Sequence, residues 1–238
     1  MEEAWITRLL SRMEDREKRA KRLREACTHT RRYQAGHVLL FEEDTFDFLY
    51  ALNSGWIGTV RNLEDGSLQI LDFFLPGQLV GLRQLMSPNA LINYKTLTDV
   101  ELTLVSKSSL KEAIADMPEI NRAILDQIAI EDAWLTERMS TLGHRSAAQC
   151  VVHLVLEIAD RMALLEEQGF NRDRVQIDIN QEQIGSILAT TPVHISRVLK
   201  DLQSEGLLAS KDGAWVFPDR HAAESFCEYH ARQLDLDD

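Results

Sequence analysis

Hydrogen-bonding and basic side chains gather on the outer face of one predicted helix in the C-terminal part of the chain. An outward arginine one turn into such a helix can donate two hydrogen bonds to guanine O6 and N7 in the major groove, and we predict this role for Arg197. Val193 and the ring of Pro192 can touch a thymine methyl group, and Ser196 can bond a base edge or a phosphate. Thr191, Lys200 and Lys211 are placed for phosphate, and the full predicted DNA-binding set is Thr191, Pro192, Val193, His194, Ser196, Arg197, Lys200 and Lys211.

Two helices must form to present these side chains, and the sequence carries start and stop signals for both. Asn180 can cap the first helix, with Gln183 at the reciprocal position of a capping box. Thr191 can cap the second helix, Pro192 suits its first position, and Gly206 is a typical helix end. Apolar residues recur inward at helical spacing, at Ile184, Ile187 and Leu188 and then at Ile195, Val198, Leu199 and Leu202. The pattern predicts a helix-turn-helix with its turn at 189–190.

A β-hairpin is predicted directly after the second helix. Two short apolar runs, 207–210 and 214–217, flank an Asp-Gly turn at 212–213. A hairpin in this position is typical of a wing that lies along the DNA backbone, and a short strand at 175–179 precedes the two helices. The alternative is an ordinary two-helix corner followed by a hairpin. The agreement of caps, helix end, outward arginine and hairpin favours DNA binding.

The charge balance argues against strong non-specific binding to nucleic acid, because the net charge is −12. Residues 171–217 hold five basic residues against six acidic ones, namely Arg172, Arg174, Arg197, Lys200 and Lys211 against Asp173, Asp178, Glu182, Asp201, Glu205 and Asp212. This is no basic patch. Specific binding remains possible if the cations touch phosphate and the acids face away. We expect non-specific binding to be weak and steeply salt-dependent.

Length and composition indicate a soluble chain of one large or two modest domains, with 238 residues of which 45% are hydrophobic. No run approaches the ~20 apolar residues of a membrane span, and the first residues lack the apolar core of a signal peptide. Cys27, Cys150 and Cys227 are far apart and form neither a metal-binding pair nor a disulfide framework. We predict a cytoplasmic protein that does not bind membranes.

The N-terminal residues, 3–27, are predicted to form one charged helix. A thin apolar stripe runs through Trp5, Ile6, Leu9, Leu10, Met13 and Leu23, and basic residues crowd the second half. The favoured interpretation is a solvated helix packed on the next domain, and contact with phosphate or a membrane surface is the alternative. Residues 1–32 are assigned to an N-terminal helical extension.

Short β-type runs follow from Tyr33, at 36–42, 48–61, 67–74 and 97–105. They are separated by turn signals, and the candidate corners are Gly55, Gly58, Gly66, Gly77 and Gly81. Short strands at regular spacing predict a sandwich or barrel. Residues 33–117 are therefore assigned to a β-roll domain.

A long helix after Pro118 carries one narrow stripe at three-and-four spacing, and we predict that it pairs two copies of the chain. The predicted dimerisation residues are Leu125, Ile128, Asp132, Leu135, Met139 and Leu142. Asp132 would need a partner, such as Arg138, or solvent. A two-fold protein reads a palindromic site with half-sites ~34 Å apart. The alternative is that the helix only covers the β-roll. Residues 118–146 are assigned to this helix and a hinge.

Residues 147–238 are assigned to the winged helix-turn-helix domain. Its first helix is predicted at 148–168, ended by Gly169, with Val151, Leu154, Val155, Ile158, Met162 and Leu165 facing inward. Cys150 is predicted to be a small buried hydrophobe. A last helix is predicted from Pro218-Asp219 to about Gln233, followed by an acidic tail.

The order of a glycine-cornered β-roll, a long helix and a winged helix-turn-helix resembles that of the Crp/Fnr transcription regulators. The likeness covers about 33–217 and is carried by Leu49-Tyr50-Ala51-Leu52 with Ser54-Gly55, by Glu64-Asp65-Gly66, by the segment 73–81 and by Ile195-Ser196-Arg197-Val198-Leu199. It implies an α+β fold with a double-stranded β-helix or jelly-roll domain, and a regulator whose partners are double-stranded DNA, a second copy and RNA polymerase. The Ser196-Arg197 match implies a TTGA-like half-site.

The chain departs from this family in its effector region. Cyclic-nucleotide binders of the family place a glutamate where this sequence has Leu82, and an Arg-Ser or Arg-Thr pair where it has Pro88-Asn89-Ala90. A cyclic phosphate without a cation and a ribose acceptor would be poorly held, so we predict that cyclic AMP is not the effector. The oxygen-sensing branch uses an N-terminal cysteine cluster, whereas this chain has only Cys27 there, which argues against an iron–sulfur centre.

Other effectors and one other class of protein stay open. His29, His37 and Cys27 are possible axial ligands of haem, although a lone histidine or cysteine near a strand is more often structural. The remaining cases are a small ligand in the apolar roll, an oxidation-sensitive cysteine or no effector at all. A cupin-like metal enzyme would need clustered histidine and carboxylate ligands, and no paired histidine motif occurs between Tyr33 and Val105. The prediction is therefore a regulator and not an enzyme, with no cofactor or metal favoured.

Overall fold

The computed structural model describes residues 4–11, 13, 15–164 and 170–230. The chain divides into two compact units, Met1–Glu131 and Asp132–Asp238. The first holds a β-roll with helices and the second holds a helical domain with a small sheet, so the predicted α+β class is confirmed. Among the described residues, no helix has the length and apolar character needed to cross a membrane.

The N-terminal residues form two helices, α1 at Ala4–Leu9 and α2 at Arg16–Arg24. The prediction of one helix over 3–27 is wrong, because Asp15 adopts a left-handed backbone with φ 50°, which a right-handed helix cannot contain. The apolar stripe of the prediction is nevertheless buried at Trp5, Ile6, Leu9, Leu10 and Leu23. Burial of that stripe joins both helices to the core of the roll.

The roll consists of eight strands in two four-stranded sheets. The strands are β1 Cys27–Tyr33, β2 Val38–Leu40, β3 Phe48–Ser54, β4 Ile57–Asn62, β5 Leu68–Phe74, β6 Leu79–Val80, β7 Asn93–Thr96 and β8 Val100–Ser106. The sheet orders are β1-β8-β3-β6 and β2-β7-β4-β5, and every pairing is antiparallel. The four predicted runs contain strands, while β1, β6 and β7 were not predicted, and the first strand begins at Cys27 rather than Tyr33.

Glycine is required where the roll turns between β3 and β4. Gly55 has φ +80°, and a Cβ at this position would lie 2.1 Å from the carbonyl oxygen of Asp99. Gly66, Gly77 and Gly81 also have positive φ. The prediction that Gly58 is a corner is wrong, because Gly58 lies within β4, paired with Phe73 and Lys95.

Two basic residues of α2 pair with carboxylates from elsewhere in the first unit. Helix α3 spans Lys107–Asp116 and helix α4 spans Pro118–His144. Arg22 pairs with Asp116 at 3.0 Å, and Arg19 pairs with Glu119 at 3.6 Å. In β1, Arg32 pairs with Glu101 at 2.7 Å. These pairs favour the interpretation of 16–32 as a solvated surface rather than a phosphate-binding one.

The second unit is built around α5, Ala147–Ala163. Ser146 and Gln149 form a capping box at its start. The predicted inward residues Val151, Leu154, Val155 and Ile158 are buried, as is Cys150. Leu165, Gln168 and Gly169 lie outside the described residues, as does the acidic tail. The remaining elements are β9 Arg174–Val175, α6 Gln181–Ile187, α7 Pro192–Ser204, β10 Ala209–Lys211, β11 Ala214–Val216 and α8 Arg220–Phe226.

Charged side chains are buried along α5 and satisfy one another. Glu157 is fully buried and accepts hydrogen bonds from Arg138 Nε at 3.3 Å and from Arg161 Nη1 at 3.1 Å. Asp160 accepts hydrogen bonds from Arg220 and from the Tyr229 hydroxyl, at 2.7 and 2.8 Å. The core of the second unit therefore contains a connected ionic network as well as apolar residues.

Candidate nucleic-acid interface

Helix α6 begins with the capping box that the sequence predicts. The backbone N–H of Gln183 donates to Asn180 Oδ1 and that of Asn180 donates to Gln183 Oε1, both at 2.9 Å. Behind this cap, a Cβ on Gly185 would lie 2.8 Å from the carbonyl oxygen of Thr190. Glycine at this position therefore lets α6 approach the turn that leads into α7.

Helix α7 begins at Pro192, as predicted, and Thr191 Oγ1 accepts a hydrogen bond from the His194 N–H at 3.2 Å. Gly206, with φ +72°, follows the end of the helix. The predicted inward residues are all buried, namely Ile195, Val198, Leu199 and Leu202. Their burial against α5 and α6 leaves the opposite face of α7 on the surface.

The side chains that the sequence assigns to DNA lie on that outer face. Val193 is 70% exposed, and the side chains of Thr191, Pro192, Arg197 and Lys200 are exposed, while those of His194 and Ser196 are half-buried. Asp201 is also exposed and follows Arg197 by four residues, so both lie on one face of the helix. Asp201 therefore does not meet the condition that the acidic residues face away from the basic ones.

The predicted hairpin is confirmed as β10 and β11. Its turn residues Asp212 and Gly213 have φ 51° and 77°, as a type I′ turn requires. Lys211 is exposed beside this turn, and Arg174 Nη1 in β9 lies 3.6 Å from Asp212 Oδ2. The predicted strand at 175–179 is shorter, since only Arg174–Val175 pairs with β11. Arg174 was not among the predicted site residues, because its place beside the turn depends on that non-local pairing.

The turn between α6 and α7 contains a left-handed residue, Ala189, with φ 51°. Because a Cβ is unfavourable there, we expect Ala189→Gly to raise the free energy of unfolding by roughly 1 kcal/mol. Chemical denaturation measures the change. Ala222→Gly is the matched control, since Ala222 is exposed within α8 and its replacement should lower stability by about the same amount. Loss of stability in both variants would show that the turn is unstrained.

The narrow stripe predicted along α4 is exposed. Leu125 is 56% exposed, Met139 68% and Leu142 37%, while Ile128 and Leu135 are half-buried and Asp132 is exposed. On another face of the second-unit part of α4, Trp134, Arg138 and Thr141 are buried. Because Arg138 is 3% exposed and bonded to Glu157, the suggested pairing of Asp132 with Arg138 is wrong.

The effector region of the roll is packed with the chain's own side chains. Leu82 is 2% exposed at the start of a 3₁₀ helix, Leu82–Gln84. The Ala90 N–H donates to the carbonyl oxygen of Asp44 at 2.8 Å, which fixes the 88–90 stretch by backbone bonding. Arg83 is the one basic residue of the sequence from 82 to 90, and its guanidinium lies 3.0 Å from Asp72 Oδ2. An anionic ligand would have to compete with that carboxylate for Arg83.

The side chains considered for haem have structural contacts of their own. The His37 ring stacks on Tyr33 with centroids 4.7 Å apart, and the Cys27 thiol donates to the carbonyl oxygen of Leu23 at 3.7 Å. His29 is exposed on β1. In the part of the chain that the structure describes, no three histidine, cysteine, aspartate or glutamate side chains cluster closely enough to hold a metal ion.

Two protein families match the chain, one in the roll and one in the helix-turn-helix domain. A family described as "Cyclic nucleotide-binding domain" matches residues 30–117, and one described as "Crp-like helix-turn-helix domain" matches residues 151–224. The chain is 23% identical over 189 residues to the transcriptional activator protein Anr of Pseudomonas protegens, covering 79% of this chain and 76% of that protein. It is 24% identical over 201 residues to the fumarate and nitrate reduction regulatory protein of Escherichia coli K12, covering 84% and 79%.

Solved structures share the fold. The structure of FixK2 from Bradyrhizobium japonicum superimposes with a TM-score of 0.73 at 24% identity, covering 84% of this chain and 96% of that one. A mutant of CooA from Carboxydothermus hydrogenoformans gives a TM-score of 0.66 at 15% identity, covering 93% and 95%. At these identities the structural likeness establishes the architecture and not the ligand.

Proposed function

The chain belongs to the Crp/Fnr family of transcription regulators, and on that premise we propose that it acts as a homodimer on a palindromic DNA site. It is a DNA-binding transcription regulator with a helix-turn-helix. The observation that supports palindromic binding by a dimer is the predicted stripe of α4, in which the apolar side chains of Leu125, Met139 and Leu142 are exposed. Exposed apolar side chains along one side of a long helix are typical of a pairing surface.

In this proposal α7 enters the major groove and Arg197 reads a guanine, with Val193, His194 and Ser196 beside it. Thr191, Lys200 and Lys211 contact phosphate. Exposure of these side chains along one face of α7 and at the wing supports the assignment. The Ser196-Arg197 pair favours a TTGA-like half-site. The glutamate that many Crp/Fnr regulators carry three residues before the arginine is absent here, where His194 stands, so the proposal leaves the outer base pairs of the half-site open.

We assign 118–146 to the dimerisation helix and hinge and 147–238 to DNA binding. The predicted boundary between the helical extension and the roll moves from 32/33 to 26/27, because β1 of the roll begins at Cys27. Leu82, which is buried and apolar, and the engagement of Arg83 by Asp72 support the proposal that the roll does not bind cyclic AMP. Relatives named as transcriptional activators support contact with RNA polymerase as the downstream step. The family consists of regulators, and no catalytic activity is proposed.

Binding of a homodimer to a palindromic site is tested in two steps. Duplexes that the unaltered protein binds are selected from random DNA, and the Met139→Glu variant is then compared with the unaltered protein. We expect the parent to select a two-fold symmetric sequence with half-site centres one helical turn apart. We expect Met139→Glu to weaken self-association by more than about tenfold, because a buried methionine is replaced by a carboxylate in each copy. Analytical ultracentrifugation measures the dimer, and gel shift measures binding to the selected site.

Ser140→Glu is the matched control, because Ser140 is exposed on α4 but lies off the stripe. It should leave both the dimer and DNA binding unchanged. If the two variants behave alike, the α4 stripe is not the pairing surface. A selected sequence without two-fold symmetry would contradict the palindromic mode, while DNA binding itself would stand.

A further inference from the structure

Helix α1 fills a groove in the first unit between the 77–82 segment and α4. Its residues Trp5, Arg8 and Leu9 line one side, and Leu82 and Gln127 lie among the residues of the other. The space left between them is ≈ 10 Å³, about the room that one water needs. The side chains of α1 therefore occupy nearly all of a groove that the rest of the unit would leave open.

A buried ionic cluster adjoins this groove. Gln127 Nε2, which lines the groove, donates to Glu131 Oε1 at 3.1 Å. Arg83 lies between two carboxylates, with its Nε 3.6 Å from Glu131 Oε2 and its Nη1 3.0 Å from Asp72 Oδ2. The carboxylate side chains are only 4% and 6% exposed. Two carboxylates facing one guanidinium leave an excess of negative charge, which favours a second cation nearby.

Arg8 also lines the groove and brings a second positive charge to it. Burial raises the pKa of the Glu131 carboxyl, whereas Arg83 and the Gln127 hydrogen bond lower it, and Arg8 acts in the same lowering direction. The groove thus receives two chemical groups from α1, a flat aromatic ring from Trp5 and a positive charge from Arg8. Trp5 and Arg8 are three residues apart in α1, which is less than one helical turn, so the two groups enter the groove side by side.

The fit of Trp5 is incomplete. Its side chain is 3% exposed, yet the indole Nε1 is buried without a hydrogen-bond partner among the described residues. A buried donor without a partner costs about 1–3 kcal/mol. The ring is therefore held by packing alone, and this cost weakens the hold of α1 on the groove.

We propose that this groove is a binding site for a planar aromatic ring joined to a cation, and that α1 occupies it as an internal ligand through Trp5 and Arg8. An arylalkylamine is the class of small molecule that reproduces both groups. Anionic aromatics are excluded by the same carboxylates. Because Gln127 and Glu131 lie on α4, exchange of α1 for such a ligand would act directly on that helix. This inference stands on the first unit alone and does not depend on how the second unit binds DNA.

The test removes the internal ligand and supplies free substitutes. The double variant Trp5→Ala, Arg8→Ala is titrated calorimetrically with tryptamine, indole and indole-3-acetate, which share one ring and differ in charge. We expect tryptamine to bind at least ~10-fold more tightly than indole-3-acetate, with indole between them, since a hydrogen bond to a charged group is worth more than a neutral one. Adding Glu131→Gln should abolish the difference between tryptamine and indole.

Trp56→Ala is the matched control, since Trp56 is a second buried tryptophan of the roll, 2% exposed and stacked on Phe73. Its cavity should show no preference for the cationic probe. If the double variant does not fold, hydrogen exchange of the α1 amides in the unaltered protein decides the matter, and millimolar tryptamine should accelerate that exchange where indole-3-acetate does not. Equal effects of the two probes in either experiment, or a preference that survives Glu131→Gln, would overturn the proposal.

Discussion

We expect Glu157→Gln to lower the free energy of unfolding of the second unit by about 3–5 kcal/mol. The substitution keeps the volume of the side chain and removes its charge. Glu157 is fully buried and bonded to Arg138 and Arg161, each 3% exposed, so two buried guanidinium groups would lose the negative charge that both contact. Urea denaturation followed by far-UV circular dichroism measures the change.

Glu228→Gln is the control for this experiment, because Glu228 is an exposed carboxylate of the same unit. Its replacement should change stability by no more than about 0.5 kcal/mol. Replacing Glu157, Arg138 and Arg161 together by apolar residues of similar size should recover much of the loss, because the buried charges are then removed as a set. A Glu157→Gln variant as stable as the control would mean that water or another group neutralises the two arginines.

The second large effect is expected at Arg197. Arg197→Ala should weaken binding to the selected DNA site by about 1–3 kcal/mol, or roughly 5- to 150-fold, and relax the choice of base at one position of each half-site. The substitution removes a bidentate hydrogen-bond donor to guanine O6 and N7, while the inward residues of α7 keep the helix folded. Fluorescence anisotropy with a panel of single-base variants of the site measures both quantities.

Lys200→Ala is the matched control, because Lys200 is also exposed on α7 but is assigned to phosphate. This substitution should weaken binding to the selected site and to random DNA nearly equally. It should also reduce the slope of log affinity against log salt concentration by about one. If Arg197→Ala likewise weakens all sequences equally, Arg197 contacts backbone and not bases. Asp201→Asn gives a further check, since removal of a carboxylate from the same face should strengthen binding to both kinds of DNA.

The helix-turn-helix could be predicted from sequence because its signals are local. Asn180 and Gln183 cap one helix, Thr191 and Pro192 start the next, and each pair lies within one turn of chain. The hairpin can be predicted in the same way, because its turn consists of two adjacent residues, Asp212 and Gly213. These local signals are enough to predict which face of α7 is exposed, because no distant contact is involved. The predicted elements and the structure agree there for this reason.

Other features depend on residues far apart in the chain and leave no local pattern. Strand β1 is mostly exposed and polar, and it becomes a strand by pairing with β8 some seventy residues later. The ionic network on α5 joins Glu157 to Arg138 and Asp160 to Arg220, whereas periodicity marks only the apolar residues as inward. The left-handed backbone of Asp15 before α2 is likewise not marked by its residue type, because helices also tolerate aspartate.

The cysteine at the end of α8 allows local unfolding around that helix to be measured by its own chemical reactivity. Cys227 has no exposed surface, its thiol donates to the carbonyl oxygen of Ala223 at 3.3 Å, and burial raises its pKa to about 12. Thiolate, the form that maleimides and disulfide reagents attack, is therefore scarce while the segment stays closed. The rate of alkylation of Cys227 therefore reports on local unfolding, and mass spectrometry of the intact protein measures it.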